Sequence, residues 1–167
     1  MITTVLFDLD GTLLPMDQDA YVKKYTEALT TFYAKKGHDP KLFAHGLFMS
    51  IVASMKNTSE LTNEEMFWKV FNAETGTDLR EDMGELYHFY AEIHPTMCSV
   101  VDQGRDSRRI VELLKKKGYR VALATNPVFP CMATYQRMSW VGLTPEDFEL
   151  VTTYENSYRC KPNPDYF

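Results

Sequence analysis

Five polar residues lie where short apolar segments of the sequence end, and together they could bind a phosphate. Asp8 and Asp10 follow the first segment. Thr125 and Asn126 close a second segment, and Lys161 comes shortly after a third. Two neighbouring carboxylates beside an anion-binding turn require a cation. A hard, oxygen-liganded ion such as Mg²⁺ would neutralise them and hold a phosphate against the lysine.

Each of these features has a purely structural alternative when it is taken alone. Residues 8–11 and 125–126 both suit a plain turn after a strand, because Asp, Asn and Gly are common turn residues. A single lysine before proline is usually solvated. An EF-hand calcium loop is excluded, since Leu13 stands at the sixth position, where that loop needs glycine. The occurrence of all three features in order favours one shared site.

The segments that precede the polar residues are predicted to be parallel strands. Residues 2–9 form a β-branched and aromatic run, typical of a strand buried on both faces. Residues 120–125 and 150–153 are predicted as a second and a third strand, with a helix on either side of the second. Strands that alternate with helices pair in parallel, and ligands bind at their carboxyl ends. We therefore predict a doubly wound, Rossmann-like α/β core.

Residues 17–96 instead show one helical pattern after another. Apolar residues recur on one helical face over residues 21–33. The Asp-Pro pair at 39–40 is typical of a helix start, and residues 62–65 have the spacing of a capping box. A further apolar stripe spans residues 79–93. About four amphipathic helices are therefore predicted between the first two strands.

This arrangement predicts a core that is interrupted after its first strand. Residues 1–15 and 98–167 would form the α/β core, and residues 16–97 an inserted helical domain. The length of 167 residues fits one domain with a modest insertion.

Composition narrows the classes of partner. The chain has 18 basic and 23 acidic side chains, a formal net charge of −5, which argues against nucleic acid or an anionic membrane as the main partner. No apolar stretch is long enough for a membrane span. The three cysteines are scattered and share no C-x-x-C spacing, so we expect neither a zinc site nor a disulfide framework. A reducing, cytoplasmic location fits this usage best.

Three motifs resemble those of the haloacid dehalogenase-like hydrolase superfamily. Residues 7–13, Phe-Asp-Leu-Asp-Gly-Thr-Leu, resemble its opening motif. Ala-Thr-Asn at 124–126 resembles the second, and residues 161–167, which begin with Lys-Pro, resemble the third. The helical insertion resembles the cap that many members carry after the first strand.

The resemblance implies a role for each candidate residue. Asp8 would be the nucleophile that forms an aspartyl-phosphate, and Asp10 the acid and base for the leaving group and for water. Both would bind Mg²⁺, Asp8 through its carboxylate and Asp10 through its carbonyl. The Thr125 hydroxyl, the Asn126 amide N–H and Lys161 would hold the phosphoryl group. The expected substrate is a small phosphorylated metabolite, a phosphomonoester.

One family motif is absent from the sequence. The resemblance calls for a fourth, acidic motif after a further strand, whereas the sequence stops at Phe167. The chain is either a fragment of a longer protein or a natural short form with a weakened metal site. We expect a fragment, because a sheet that ended here would expose a large apolar edge.

Other activities stay open on the same residues. A phosphomutase would share the site but need a bisphosphate activator. A haloacid dehalogenase is disfavoured, because such relatives need no metal and usually lack the second aspartate, which Asp10 provides. A non-catalytic phosphate- or metal-binding module suits a naturally short chain. The sequence fixes neither the substrate nor the oligomeric state.

Overall fold

The computed structural model describes residues 2–102 and 106–167. Its helices are, in chain order, α1 (Gln18–Ala34), α2 (Pro40–Met55), α3 (Asn63–Thr75), α4 (Met83–His88), α5 (Ser107–Lys116) and α6 (Cys131–Ser139). Short 3₁₀ or π-helical turns span Leu79–Asp82, Phe89–Ile93, His94–Val100, Pro145–Asp147 and Pro164–Tyr166. Within these two ranges, no helix has the length and apolar character that crossing a membrane requires.

Two parallel strands form the sheet in the described part of the chain. Strand β1 (Thr4–Phe7) pairs in register with β2 (Arg120–Leu123), which confirms the predicted parallel pairing. Both strands are shorter than the predicted runs. The chain turns directly after Phe7, and β2 ends at Leu123. The prediction that the first strand is buried on both faces is wrong for Leu6, whose side chain is 52% exposed.

The segment predicted as a third strand lies beside β2 but is not a full strand. It forms one parallel bridge, between Val151 and Leu123. Leu123 exchanges backbone hydrogen bonds of 2.8 and 3.0 Å with the residues on either side of Val151. The Asn156 side chain accepts from the Thr153 amide at 2.8 Å and donates to the Val151 carbonyl at 2.9 Å. Both of these backbone groups face away from β2. The pairing with β2 ends because the Tyr154 amide, which the next rung would use, donates instead to the Phe129 carbonyl at 3.2 Å.

The first three predicted helices are confirmed, and so are the predicted starts of the second and the third. The Asp39 carboxylate accepts from two amides of the first turn of α2, at 2.8 and 2.9 Å. At the start of α3, Thr62 and Glu65 each accept from the other's backbone amide, which is the predicted capping box. Such side chains satisfy amides that have no partner inside the helix.

The fourth predicted helix is broken into short pieces. Residues 79–93 pass from a 3₁₀ turn through α4 into one π-helical turn. Pro95 follows, and its missing N–H prevents α-helical hydrogen bonding from continuing. Most of the apolar stripe is nevertheless buried, with Leu79, Leu86 and Tyr90 in the interior, whereas Tyr87 is 53% exposed.

Buried side chains form two clusters. One is rich in aromatic residues and comes mainly from α1 to α4, with Ala133 and Tyr154 added from the later part of the chain. The other is aliphatic and joins the turn after β1 to α5, β2 and α6. Met16 and Trp140 pack against both clusters. The boundaries of the helical domain at 15/16 and 97/98 stay a prediction.

Candidate active site

The turn after β1 presents two carboxylates from the carboxyl end of the sheet. Asp8 and Asp10 are half-buried and flank Leu9, which is fully buried. The Leu9 carbonyl accepts hydrogen bonds of 3.1 and 2.8 Å from two later amides of the turn. Gly11 has a φ of 79°, in the left-handed region that glycine adopts without steric cost. The turn therefore fixes the spacing of both carboxylates by its backbone.

Lys161 reaches this turn from the other end of the sequence. Its ammonium donates a hydrogen bond to Asp8 Oδ1 at 2.8 Å, and its backbone amide donates to the Asn126 side-chain oxygen at 2.9 Å. The structure thus brings Lys161 together with one residue from each of the other two motifs. Both members of the Lys161–Asp8 pair are partly exposed, so the pair faces the solvent from which a ligand would enter.

Thr125 and Asn126 follow β2 and join the same edge of the sheet. Thr125 is buried, and its carbonyl accepts from the Thr152 hydroxyl at 2.7 Å and from the Tyr166 hydroxyl at 2.8 Å. Asn126 holds the Lys161 backbone through its side chain. The phosphate contacts expected of the Thr125 hydroxyl and the Asn126 amide remain predictions. The structure adds a positioning contact for Asn126 that spacing alone does not reveal.

Gln18, at the start of α1, also contacts the turn. Its side-chain amide donates to the Asp10 carbonyl at 2.6 Å, and it lies against Gly11. This carbonyl is the atom that the family resemblance assigns to the metal. A carbonyl oxygen has two lone pairs and can serve both partners. The contact links α1 to the candidate site.

Asp10 has a different electrostatic environment from an exposed carboxylate. Burial raises its pKa above the ordinary value, and the neighbouring Asp8 carboxylate raises it further. Arg137 and Lys161 act in the opposite direction, because a nearby cation favours the charged form. The net upward shift suits a group that must carry a proton.

Sequence reasoning missed Arg137, which lies behind Asp10. This residue of α6 is fully buried, and its Nη1 is 3.5 Å from Asp10 Oδ2. A signal was present in the sequence: Arg137 shares a helical face with Ala133, Thr134 and Met138, all buried. A charged residue on such a face calls for a buried partner.

His94 contacts Tyr21, the residue of the aromatic cluster over whose ring the Arg137 guanidinium lies. It is fully buried, hydrogen-bonds to the Tyr21 hydroxyl at 2.8 Å and to the Gln136 side chain, and stacks on Trp140. Burial, the dominant influence, lowers the pKa of His94 to about 4. His94 is therefore neutral in the folded protein at neutral pH.

Acid is expected to weaken folding through His94. In the unfolded chain His94 takes up a proton near pH 6.5, whereas in the folded protein it does so only near pH 4. The contribution of neutral His94 to the free energy of unfolding is therefore complete above pH 6.5 and is lost as the pH falls toward 4. We expect a loss of about 3 kcal/mol over that window. Urea unfolding at pH 7 and pH 5 should show a smaller pH effect in His94→Gln than in wild type. The exposed His45→Gln serves as the control. An unchanged pH effect in His94→Gln contradicts this assignment.

Asn63, the first residue of α3, ties the helical insertion to two motif loops. It is fully buried, and its side-chain amide donates to the carbonyls of Pro127 at 3.1 Å and Arg159 at 3.4 Å. Its backbone amide donates to the Ser157 carbonyl at 2.8 Å. The loops after Thr125-Asn126 and before Lys161 are therefore held by the same side chain.

Replacement of Asn63 is expected to destabilise the protein. Asn63→Ala removes a buried donor and leaves two carbonyls without it, which lowers the free energy of unfolding by about 2 kcal/mol. Urea denaturation measures the change. Lys69→Ala, at an exposed position of α3, should stay within about 0.5 kcal/mol of wild type. Equal stability of the two variants would show that the Asn63 contacts carry no net energy.

Known proteins of similar sequence indicate the family of this chain. The family model for haloacid dehalogenase-like hydrolases matches residues 2–167. The pyrophosphatases PpaX from two Bacillus cereus strains, G9842 and ATCC 14579, are each 26% identical over 168 residues, which cover 98% of this chain. The chain spans 65% of the length of these curated relatives.

A solved structure supports the fold. A HAD-like family hydrolase from Porphyromonas gingivalis superposes with a TM-score of 0.51 at 21% identity, over all of this chain and 73% of that one. The likeness confirms the predicted fold class, a Rossmann-like α/β core with helical elements. The family match extends over nearly the whole sequence and includes all three motifs. The chain therefore belongs to the haloacid dehalogenase-like hydrolase family.

Proposed function

We propose that this protein is a phosphohydrolase that acts on a small phosphomonoester through an aspartyl-phosphate on Asp8. The observation that carries the proposal is the 2.8 Å contact between the Lys161 ammonium and Asp8, which joins the first and the third motif. A carboxylate nucleophile beside a fixed cation suits attack on an anionic phosphate. Membership of a hydrolase family supports the reaction class.

In the first step, an Asp8 oxygen attacks phosphorus. A bond forms between that oxygen and phosphorus while the bond from phosphorus to the leaving oxygen breaks. Asp10 gives its proton to the leaving alkoxide, a role that its raised pKa favours. Lys161 offsets the negative charge of the phosphoryl oxygens as they approach Asp8.

In the second step, water attacks phosphorus and Asp8 is regenerated. Asp10, now ionised, takes a proton from that water, and the bond between phosphorus and the Asp8 oxygen breaks to release phosphate. The same carboxyl thus acts as acid and then as base. The side chain of Asn126 holds the Lys161 backbone in place during both steps.

The donor set fits a magnesium ion. Asp8 offers carboxylate oxygens and Asp10 its carbonyl, which are the hard ligands that Mg²⁺ prefers, and Mg²⁺ usually retains several waters. In residues 2–102 and 106–167, no group of three or more His, Cys, Asp or Glu is placed to hold a metal. Among the described residues, Asp8 and Asp10 are the ones that would hold the ion. When bound, it would supply charge neutralisation between the nucleophile and the phosphate dianion.

We also assign residues 16–97 as the cap that faces the substrate. Two contacts support this assignment: Gln18 reaches the Asp10 carbonyl, and Asn63 reaches the loop after Asn126. Both side chains come from the helical segment and end at motif loops. The cap would determine which phosphorylated metabolite is accepted.

The proposal is tested by phosphate release from p-nitrophenyl phosphate by the full-length protein. We expect turnover that requires Mg²⁺ and disappears with EDTA. Activity that survives EDTA would exclude the magnesium assignment. Calorimetric Mg²⁺ binding without any turnover would instead support a non-catalytic binding module.

Pyrophosphate is a second candidate substrate, which the PpaX relatives favour because they are named as pyrophosphatases. Its leaving group is phosphate, a better leaving group than an alkoxide, so it depends less on the Asp10 proton. The same assay with inorganic pyrophosphate in place of p-nitrophenyl phosphate compares the two. A higher kcat/KM for pyrophosphate would assign the chain to that class.

A further inference from the structure

We propose that Arg137 is a positioning residue that holds the Asp10 carboxyl for proton transfer. The inference rests on the proposed function for the role of Asp10, and it adds a residue from α6 that lies outside the three motifs. Arg137 acts through Asp10 and is buried away from any substrate.

The positive charge of Arg137 is buried beside Asp10. Arg137 has no exposed surface, and a buried guanidinium is costly unless an anion and hydrogen bonds compensate for it. Asp10 is its only acidic partner within ion-pair distance in the described part of the chain, with Nη1 and Oδ2 3.5 Å apart. Its other polar contacts are with hydroxyl groups: Nη2 lies a long 3.5 Å from the Thr134 hydroxyl, and the guanidinium also interacts with the Tyr21 hydroxyl.

Two aromatic rings hold the Arg137 guanidinium in position. Its centre lies 4.4 Å from the Phe129 ring and 5.4 Å from the Tyr21 ring, both within cation–π range. Phe129 belongs to the loop between β2 and α6, and Tyr21 belongs to α1. Side chains from both sides of the site therefore fix the position of the charge.

Arg137 and Asp10 each have side-chain atoms that could form further hydrogen bonds. Within the described residues, Arg137 Nε and Nη1 and Asp10 Oδ1 are buried without a hydrogen-bond partner. The guanidinium donors and the carboxylate acceptor are complementary. If the two side chains moved slightly closer together, the 3.5 Å contact would become a hydrogen bond. Such contacts often tighten when a substrate closes the site.

We expect the effect of replacing Arg137 on turnover to depend on the leaving group of the substrate. An alkoxide needs the Asp10 proton to leave, whereas p-nitrophenolate leaves readily without it. Loss of a well-placed acid typically lowers rates by about 10²-fold or more. A variant that merely disturbs the fold would lower both reactions by the same factor.

The test uses Arg137→Met and Arg137→Lys in the full-length protein, with the exposed Arg109→Met as the matched control. We expect kcat/KM for β-glycerophosphate to fall by about 10²-fold in Arg137→Met, against less than about fivefold for p-nitrophenyl phosphate. Arg137→Lys should restore part of the difference. Equal losses on the two substrates would overturn the inference.

A second arm combines Arg137→Met with Asp10→Asn. If Arg137 acts through Asp10, its replacement should change turnover by less than about twofold in the Asp10→Asn background. A full repeat of the loss there would overturn the inference. Urea unfolding of the same four proteins requires no turnover and should show non-additive changes in midpoint. If the changes in urea midpoint of the two single variants add up in the double variant, the pairing of Arg137 with Asp10 is rejected. If the wild-type protein is inactive on every phosphate ester, only the proposed function is rejected.

Discussion

Asp8→Asn is expected to lower phosphate release by about 10³-fold or more. The amide has nearly the shape of the carboxylate, but it carries no charge and cannot form an aspartyl-phosphate. The Lys161 ammonium would lose the partner that it contacts at 2.8 Å, yet both side chains are partly exposed, so water can replace the contact. The fold should therefore survive. Steady-state kinetics with p-nitrophenyl phosphate measure the loss.

Asp19→Asn is the matched control for this experiment. Asp19 is an exposed carboxylate in the first turn of α1 and lies outside the candidate site. We expect its replacement to leave kcat and KM within about twofold of wild type, as is usual for surface substitutions. Retention of near-normal turnover by Asp8→Asn, with Asp19→Asn unchanged, would rule out Asp8 as the nucleophile.

Lys161→Met is expected to lower kcat/KM by about 10²- to 10³-fold. The methionine keeps much of the length of the side chain but removes the cation that opposes the negative charge of the phosphoryl group. Asn126 binds the backbone amide of residue 161 rather than its side chain, so the loop should keep its position. Thermal unfolding should therefore change little while turnover collapses.

An exposed lysine provides the comparison for Lys161. Lys23→Met, on the solvent side of α1, removes the same charge from the protein without touching the site. We expect normal turnover from Lys23→Met, because salt screens an exposed surface charge that lies outside the site. Similar losses in both variants would mean that net charge, and not the contact with Asp8, governs the rate.

Local sequence signals predicted the elements that depend on short-range chemistry. The capping box of Thr62 and Glu65 and the cap at Asp39 act within one helical turn, so the residues that define them are adjacent in sequence. The motif residues could be placed together because parallel strands bring their carboxyl ends to one edge. The contact between Asp8 and Lys161, 153 positions apart in sequence, follows from that rule.

The features that sequence reasoning missed depend on packing between distant segments. Arg137 and His94 are polar residues in the interior. Their partners lie in distant segments, Asp10 in the turn after β1 and Tyr21 in α1, so no local pattern identifies the pairing. Asn63 looks like an ordinary first residue of a helix, although it also binds the loops of two motifs. The third strand was overpredicted, because the Tyr154 amide, which would extend the pairing with β2, donates instead to the Phe129 carbonyl in the loop after β2.

The most direct test of the account is chemical trapping of the phosphorylated residue. The full-length protein would be mixed with a phosphate ester labelled at phosphorus, quenched in acid during turnover, and mapped by mass spectrometry of its peptides. We expect label on the peptide that contains Asp8, and no label in Asp8→Asn. Turnover with label on another residue, or with no labelled peptide at all, would contradict the account.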